Sequence, residues 1–528
     1  MKTVTALVMA MAFAALSFPG EAAEQPPAVP PEEQPEVLTR GPVHEAFAGP
    51  VDLQVQKGIT APTQPPPEIT EQLAAEKPAG KRFVWVPGYW AWDPERNTYL
   101  WVSGCWRAAP PNTYWVPGYW SRTDGGWEWV PGFWAPVAKG KQIEYLPAPP
   151  PIDDPRPPGP PPTPNNIWVP PCWYWYGGTY VWRPGYWLVA QPDWIWVPSH
   201  YVWTPRGYVF VLGHWDYVLP RRGVLFAPIY FPRPVYLAPG FSYSLSIVVD
   251  TGMLQFSWFT CPRYGHFYFG DYYDSIYVSF GIFPRYECEQ RYVWYDPIYE
   301  HDRWRHRRTV PDWGRYERNE YDRRRADKNL RPPRTYREME VRQSKMPEPQ
   351  RGSIRIAAPI RSFAADERSP LKFEESRTGA QDKISRQAAS VQKFGEERSR
   401  WESPPAGSQP ARSTTERERA VSPPTERREP ASPPKEERGS ARPSSGQRES
   451  AAPSSDRSTT YVPPRDVDRN TPESVTIPTP PISNTQRGPG IFREGPPSRP
   501  ADERRTDSTR SSGSIDTQRE SRSQRERR

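Results

Sequence analysis

After residue 22 no stretch approaches the ~20 consecutive apolar residues of a membrane-spanning helix. That excludes a helical membrane protein once any leader is removed. Cysteine is scarce: Cys105, Cys172, Cys261 and Cys288 are the whole set, and none sits in a CxxC. A zinc site is therefore not expected. The apolar fraction, 36%, is low for a single globule of 528 residues. Composition of this kind points to a chain that is part folded and part disordered.

Proline and tryptophan are abundant instead. The chain holds 72 Pro and 24 Trp, where average proline usage is about 5%. Charge is divided along its length. Residues 1–300 carry 20 Lys and Arg against 26 Asp and Glu, and residues 301–528 carry 49 against 35. The first 22 residues look like an export signal: Lys2, an apolar run from Val4 to Phe18, then Gly20-Glu21-Ala22 as a cleavage site. No Cys stands directly after that point, so a lipid anchor is not expected. An exported chain with four Cys allows disulfides, in three possible pairings.

An internal repeat outranks the other signals. The hexad W-x-x-G-x-W begins at Trp85, Trp101, Trp115, Trp129, Trp168, Trp182, Trp196 and Phe210, in two blocks of four copies. The fifth copy has Pro171 for Gly, the seventh has Ser199 for Gly, and the eighth has Leu212 for Pro. Aromatics two residues before the first Trp give period two, the mark of a strand. If neighbouring copies pair antiparallel, Trp to Trp, the turn centres become Asp124-Gly125 and Gly177-Gly178. Those dipeptides suit type I′ hairpins. Two Trp five residues apart would face opposite sides of a flat strand, so a bulge at Pro-Gly is expected to bring them to one face.

These residues resemble the WXXGXW (YXWGXW) repeat family of exported bacterial proteins. The resemblance covers Phe83 to Trp215. It implies an envelope or extracellular role and supplies no catalytic residues.

The expected fold is mainly β: two four-stranded antiparallel aromatic meanders and an aromatic β cap, followed by a long disordered tail. The segments are a signal peptide (1–22), a Pro-rich acidic segment (23–82), repeat block one (83–134) and a Pro-rich linker (135–166). Repeat block two (167–215), the cap or third sheet (216–300) and a charged, mostly disordered tail with short helices (301–528) follow. Within the tail, 312–330 and 384–394 are the expected helices.

Candidate sites are few. Trp92, Trp175 and Trp203 fall seven residues after the start of their copies, with Tyr217 in the same slot. Exposed, they would form a platform for sugar rings; buried, they fill a core. Cys105–Cys172 and Cys261–Cys288 are disulfide candidates. Asp250-Thr251-Gly252 matches a single aspartic-protease motif. His200 and His214 share a slot in consecutive copies but do not oppose each other, which argues against a metal, and His301 and His306 are no stronger. No cofactor and no catalytic residue is expected. Function is expected to be non-enzymatic and structural or adhesive, with polysaccharide binding and a single-motif protease as alternatives. The expected partners are envelope polysaccharide or other envelope proteins, without specific nucleic-acid binding.

Overall fold

Period-two aromatic segments such as Phe83–Val86 and Tyr89–Asp93 form strands because flat rings and β-branched side chains pack well on a pleated surface. In the computed structural model, which describes residues 34–137, 143–376, 378–403 and 460–461, strand (34%) outweighs helix (27%). These residues lie within one compact unit, Met1–Asp466.

The eight copies pair two by two. Trp85 opposes Trp106 and Trp90 opposes Trp101 in the first hairpin. Trp115 opposes Trp134 and Trp120 opposes Trp129 in the second. Trp168 opposes Trp187 and Trp173 opposes Trp182 in the third. Trp196 opposes Trp215 and Tyr201 opposes Phe210 in the fourth. Facing indoles sit 4.8–5.4 Å apart, mostly edge to face, the arrangement favoured by the ring quadrupole.

The expected four-stranded meanders are corrected to four hairpins. Copies two and three do not pair. The second copy's strand Cys105–Ala108 takes Gly223–Leu225 as its outer neighbour, and Thr98–Val102 takes Ile229–Tyr230. The second hairpin recruits Thr60–Ala61. The prolines at 110 and 111 between copies two and three prevent a tight hairpin there.

The bulge is corrected as well. Each copy is two short strands, and both strands of a hairpin break at the same level. Pairing resumes in the same register, so no residue is inserted. In the second hairpin Trp120 and Trp129 join one apolar cluster while Trp115 and Trp134 join another. Both of its faces are aromatic.

Both bends fall where the indole pairing puts them. Gly177 and Gly178 have φ of 60° and 84°, as a type I′ turn requires. At the other bend neither Asp124 nor Gly125 has positive φ; Gly126 takes it, at 128°. The expected type I′ geometry is corrected there.

The segments flanking the repeats are more ordered than their composition suggests. Residues 38–48 are buried and run between the first two hairpins. In the cap, His266–Phe269 is a strand paired with Trp258–Cys261. The tail is folded as far as residue 403. Trp313–Ala326 and Thr378–Glu402 are helices, and Tyr336–Ser344 is a further one. Ion pairs there add to the packing of buried Trp313, Tyr321, Met339 and Ile360, as with Arg331 to Asp274 at 3.0 Å and Arg334 to Glu95 at 3.1 Å. The signal segment 1–22 and the tail beyond 403, save 460–461, lie outside the described residues. Among described residues no helix is long and apolar enough to cross a membrane.

Candidate functional site

The break shared by both strands leaves backbone amides and carbonyls without ladder partners. Buried, each must find another. The first, second and fourth hairpins each do so with a different polar partner.

In the first hairpin the amides of Gly88 and Gly104 donate to the Glu71 carboxylate at 3.1 and 2.8 Å. The indole Nε1 of Trp101 donates to it at 2.9 Å. Glu71 is carried on Thr70–Gln72, which pairs in parallel with Ser242–Ser244. The carbonyl of Pro87 is met by His44 Nε2 at 3.0 Å. Burial pushes the Glu71 carboxyl up to about 7, against the pull of the Gly104 amide, the Trp101 indole and the Gly88 amide.

The second hairpin is sandwiched between opposite charges. On one side Gly118 and Gly132 donate to Glu45 Oε1 and Oε2, both at 3.0 Å. On the other, Arg398 Nη1 donates to the carbonyls of Pro117 and Pro131, both at 2.9 Å. Arg398 is fully buried and its Nε donates to Glu402 at 2.9 Å. Glu402 also accepts from Tyr119 at 2.7 Å and Tyr145 at 2.6 Å. Burial raises the Glu45 carboxyl to about 7.

The fourth hairpin satisfies itself. Ser199, which replaces a glycine, accepts from the Gly213 amide through Oγ at 2.8 Å. His200 Nδ1 reaches the Pro198 carbonyl at 2.9 Å, and His214 Nδ1 reaches Leu212 at 3.0 Å. Burial lowers His200 to about 4 and lowers His214 too, so both are neutral donors to their own copies. Among described residues no group of three His, Cys, Asp or Glu could hold a metal.

The glycine has a second cause. In six of the eight copies the first Trp lies over the glycine of the facing copy. A Cβ on Gly104 would stand 2.4 Å from Trp85 Cζ2, on Gly132 2.4 Å from Trp115, and on Gly185 2.3 Å from Trp168. In the third hairpin Pro171 occupies the seat that would receive Trp182. Trp182 is 40% exposed, whereas its counterpart Trp101 is 0% exposed.

Between the second and fourth hairpins a cleft is closed by a buried triad. Arg107 Nη2 donates to both Asp216 oxygens at 2.7 and 2.6 Å, and Arg222 pairs with Asp216 at 2.9 Å. Both guanidiniums also reach the buried 38–48 segment, at Ala46 and Phe47. Burial opposes the Asp216 charge, but Arg107 and Arg222 hold its carboxyl below the usual range.

The aromatic platform is not assembled. Trp92 is buried opposite Tyr99, Trp175 pairs with Tyr180, Trp203 opposes Tyr208 beneath Lys57, and Tyr217 stacks on Trp194. Each ring is matched across its own hairpin, so the four share no surface. The disulfides are corrected likewise. Cys105, Cys172, Cys261 and Cys288 are buried free thiols in four different apolar clusters. Asp250 accepts from the Gly252 amide at 3.1 Å and caps the short helix Thr251–Met253. Glu45, Glu71 and Arg398 were missed, because nothing in their local sequence signals a distant partner.

The WXXGXW repeat model matches residues 83–107, 114–135 and 192–215. These are the first, second and fourth hairpins; the third, with Pro171, is outside the match. No curated protein matches this chain, and no solved structure does.

Proposed function

We propose, from the WXXGXW repeats this chain carries at 83–135 and 192–215, that it is an exported, non-enzymatic repeat protein with a structural or adhesive role in the cell envelope or extracellular matrix. One observation carries the reading. The repeat residues are engaged with one another, Trp over Gly, and the broken ladders are completed by Glu71, Glu45 and Arg398 from outside the repeats. Such a motif builds a scaffold rather than a reaction centre. The signal-like first 22 residues support export, and the expected partners are envelope polysaccharide or envelope proteins.

The test is cell fractionation with N-terminal sequencing of the mature chain. The expected result is a chain beginning after Ala22 and recovered with the envelope or medium. An intact N-terminus in the cytoplasm would defeat the reading.

A further inference from the structure

At the edge of the fourth hairpin, a groove of about 610 Å³ runs between the C-terminal end of the helix Pro297–His306 and the short helix Leu219–Arg222. That size lies within the range of ligand sites. Its lining holds Arg221, Arg305, Arg307 and Arg308 against one acid, Asp193. Only Arg221 is neutralised, by Asp193 at 3.3 Å, and that pair is half exposed. Arg305 and Arg308 are exposed and make no ion pair among the described residues. Arg307 is fixed in place: it donates to the Trp304 carbonyl at 2.6 Å and to Asn165 at 2.7 Å, with its guanidinium 4.7 Å from the Trp304 ring centre. Arg305, Val218 and Pro220 also line an adjoining cavity, so the groove continues past Arg305.

Guanidinium groups stay charged, are weakly hydrated and match a carboxylate with two parallel hydrogen bonds. Unneutralised cations along one wall concentrate anions in the groove. The same lining carries Pro192, Val218, Pro220 and Pro370, apolar surface suited to the CH faces of sugar rings. Trp304 does not offer an open face for a nucleic-acid base. Arg307 covers it, and His301 lies 5.4 Å away, whereas single-stranded nucleic acids are held by free stacking platforms. We infer that this groove binds a linear acidic polysaccharide, with uronate carboxylates on Arg305 and Arg308 and sugar rings along the prolines. The inference goes beyond the scaffold role and does not depend on where the protein acts.

The test uses the full chain and a fluorescently labelled oligogalacturonate in an anisotropy titration, with neutral dextran and single-stranded DNA as parallel probes. Salt-sensitive binding of the oligogalacturonate, no binding of dextran and weaker binding of DNA are expected. Arg305→Ser with Arg308→Ser should weaken oligogalacturonate binding at least tenfold and leave the unfolding midpoint unchanged, since both side chains are exposed. Undiminished binding by that variant would place the interaction elsewhere on the chain and overturn the inference. So would absent oligogalacturonate binding, equal binding of dextran, or tighter binding of DNA.

Discussion

A Cβ on Gly132 would stand 2.4 Å from Cζ2 of Trp115 and 2.6 Å from Glu45 Oε1. The indole and the carboxylate thus both occupy the space that any other residue would fill. Gly132→Ala is expected to destabilise the protein by about 2–3 kcal/mol, the cost of overpacking a fitted site. Gly125 has nothing within 4 Å of its Cβ position, so Gly125→Ala should stay within about 0.5 kcal/mol of the parent. Urea unfolding of both variants checks the pair. Equal effects would mean that the Trp-over-Gly seat is not a constraint.

Pro171→Gly clears the seat that Pro171 fills in the third hairpin. Trp182 should then fold over residue 171 as Trp101 does over Gly88, where a Cβ would meet the indole at 2.8 Å. Acrylamide quenching should weaken and the emission shift to the blue. Unchanged quenching would show that Trp182 is exposed for another reason.

The indole register was legible because it recurs: the same pairing rule applied to eight copies brings Gly177-Gly178 to a bend, and the structure has them there. The break at Pro-Gly was only half legible. Its proline and glycine announce an interrupted ladder, but not that both strands break together. Glu71 and Glu45 were illegible, since a carboxylate that completes a ladder 17 to 87 residues away leaves no periodic trace. Arg398 was hidden further. In a stretch rich in Arg, Ser and Glu, composition argues for disorder, and a single fully buried guanidinium does not alter composition. For Trp92 the sequence left core and platform both open: the register puts Tyr99 opposite it, but not which elements cover that face of the hairpin.

Glu71 and Glu45 make stability depend on pH. Both carboxyls are raised to about 7 by burial, so the folded state holds their protons more tightly than the unfolded chain does. Their contribution is fully present below the ordinary Glu value of 4.5 and is lost as pH rises through about 7. Their share of the stability should fall across that window, opposite in sign to that of the buried neutral His44 and His200, whose values are lowered to about 4. Glu71→Gln keeps the size of the side chain but removes its titration, so the fall should become shallower in that variant. If the parent instead gains stability over Glu71→Gln as pH rises from 4.5 to 7, the amides and the Trp101 indole hold Glu71 ionised.

Arg398 joins the helix Thr378–Glu402 to the second hairpin through the carbonyls of Pro117 and Pro131. Its removal leaves two carbonyls without their donor and Glu402 buried without its cation. Breaking one side of a buried ion pair costs about 3–5 kcal/mol, so Arg398→Ala should lose stability of that order. The helix should also become sensitive to limited proteolysis while the first hairpin, capped by Glu71, stays protected. Arg398→Lys should rescue only part of the loss, because one ammonium cannot reproduce the planar fork that reaches Glu402 and both carbonyls. Full rescue by Lys would reduce the interaction to charge alone. Unchanged proteolysis in the Ala variant would mean that the helix is held by other contacts, such as the Trp401 indole donating to Tyr145 at 2.8 Å.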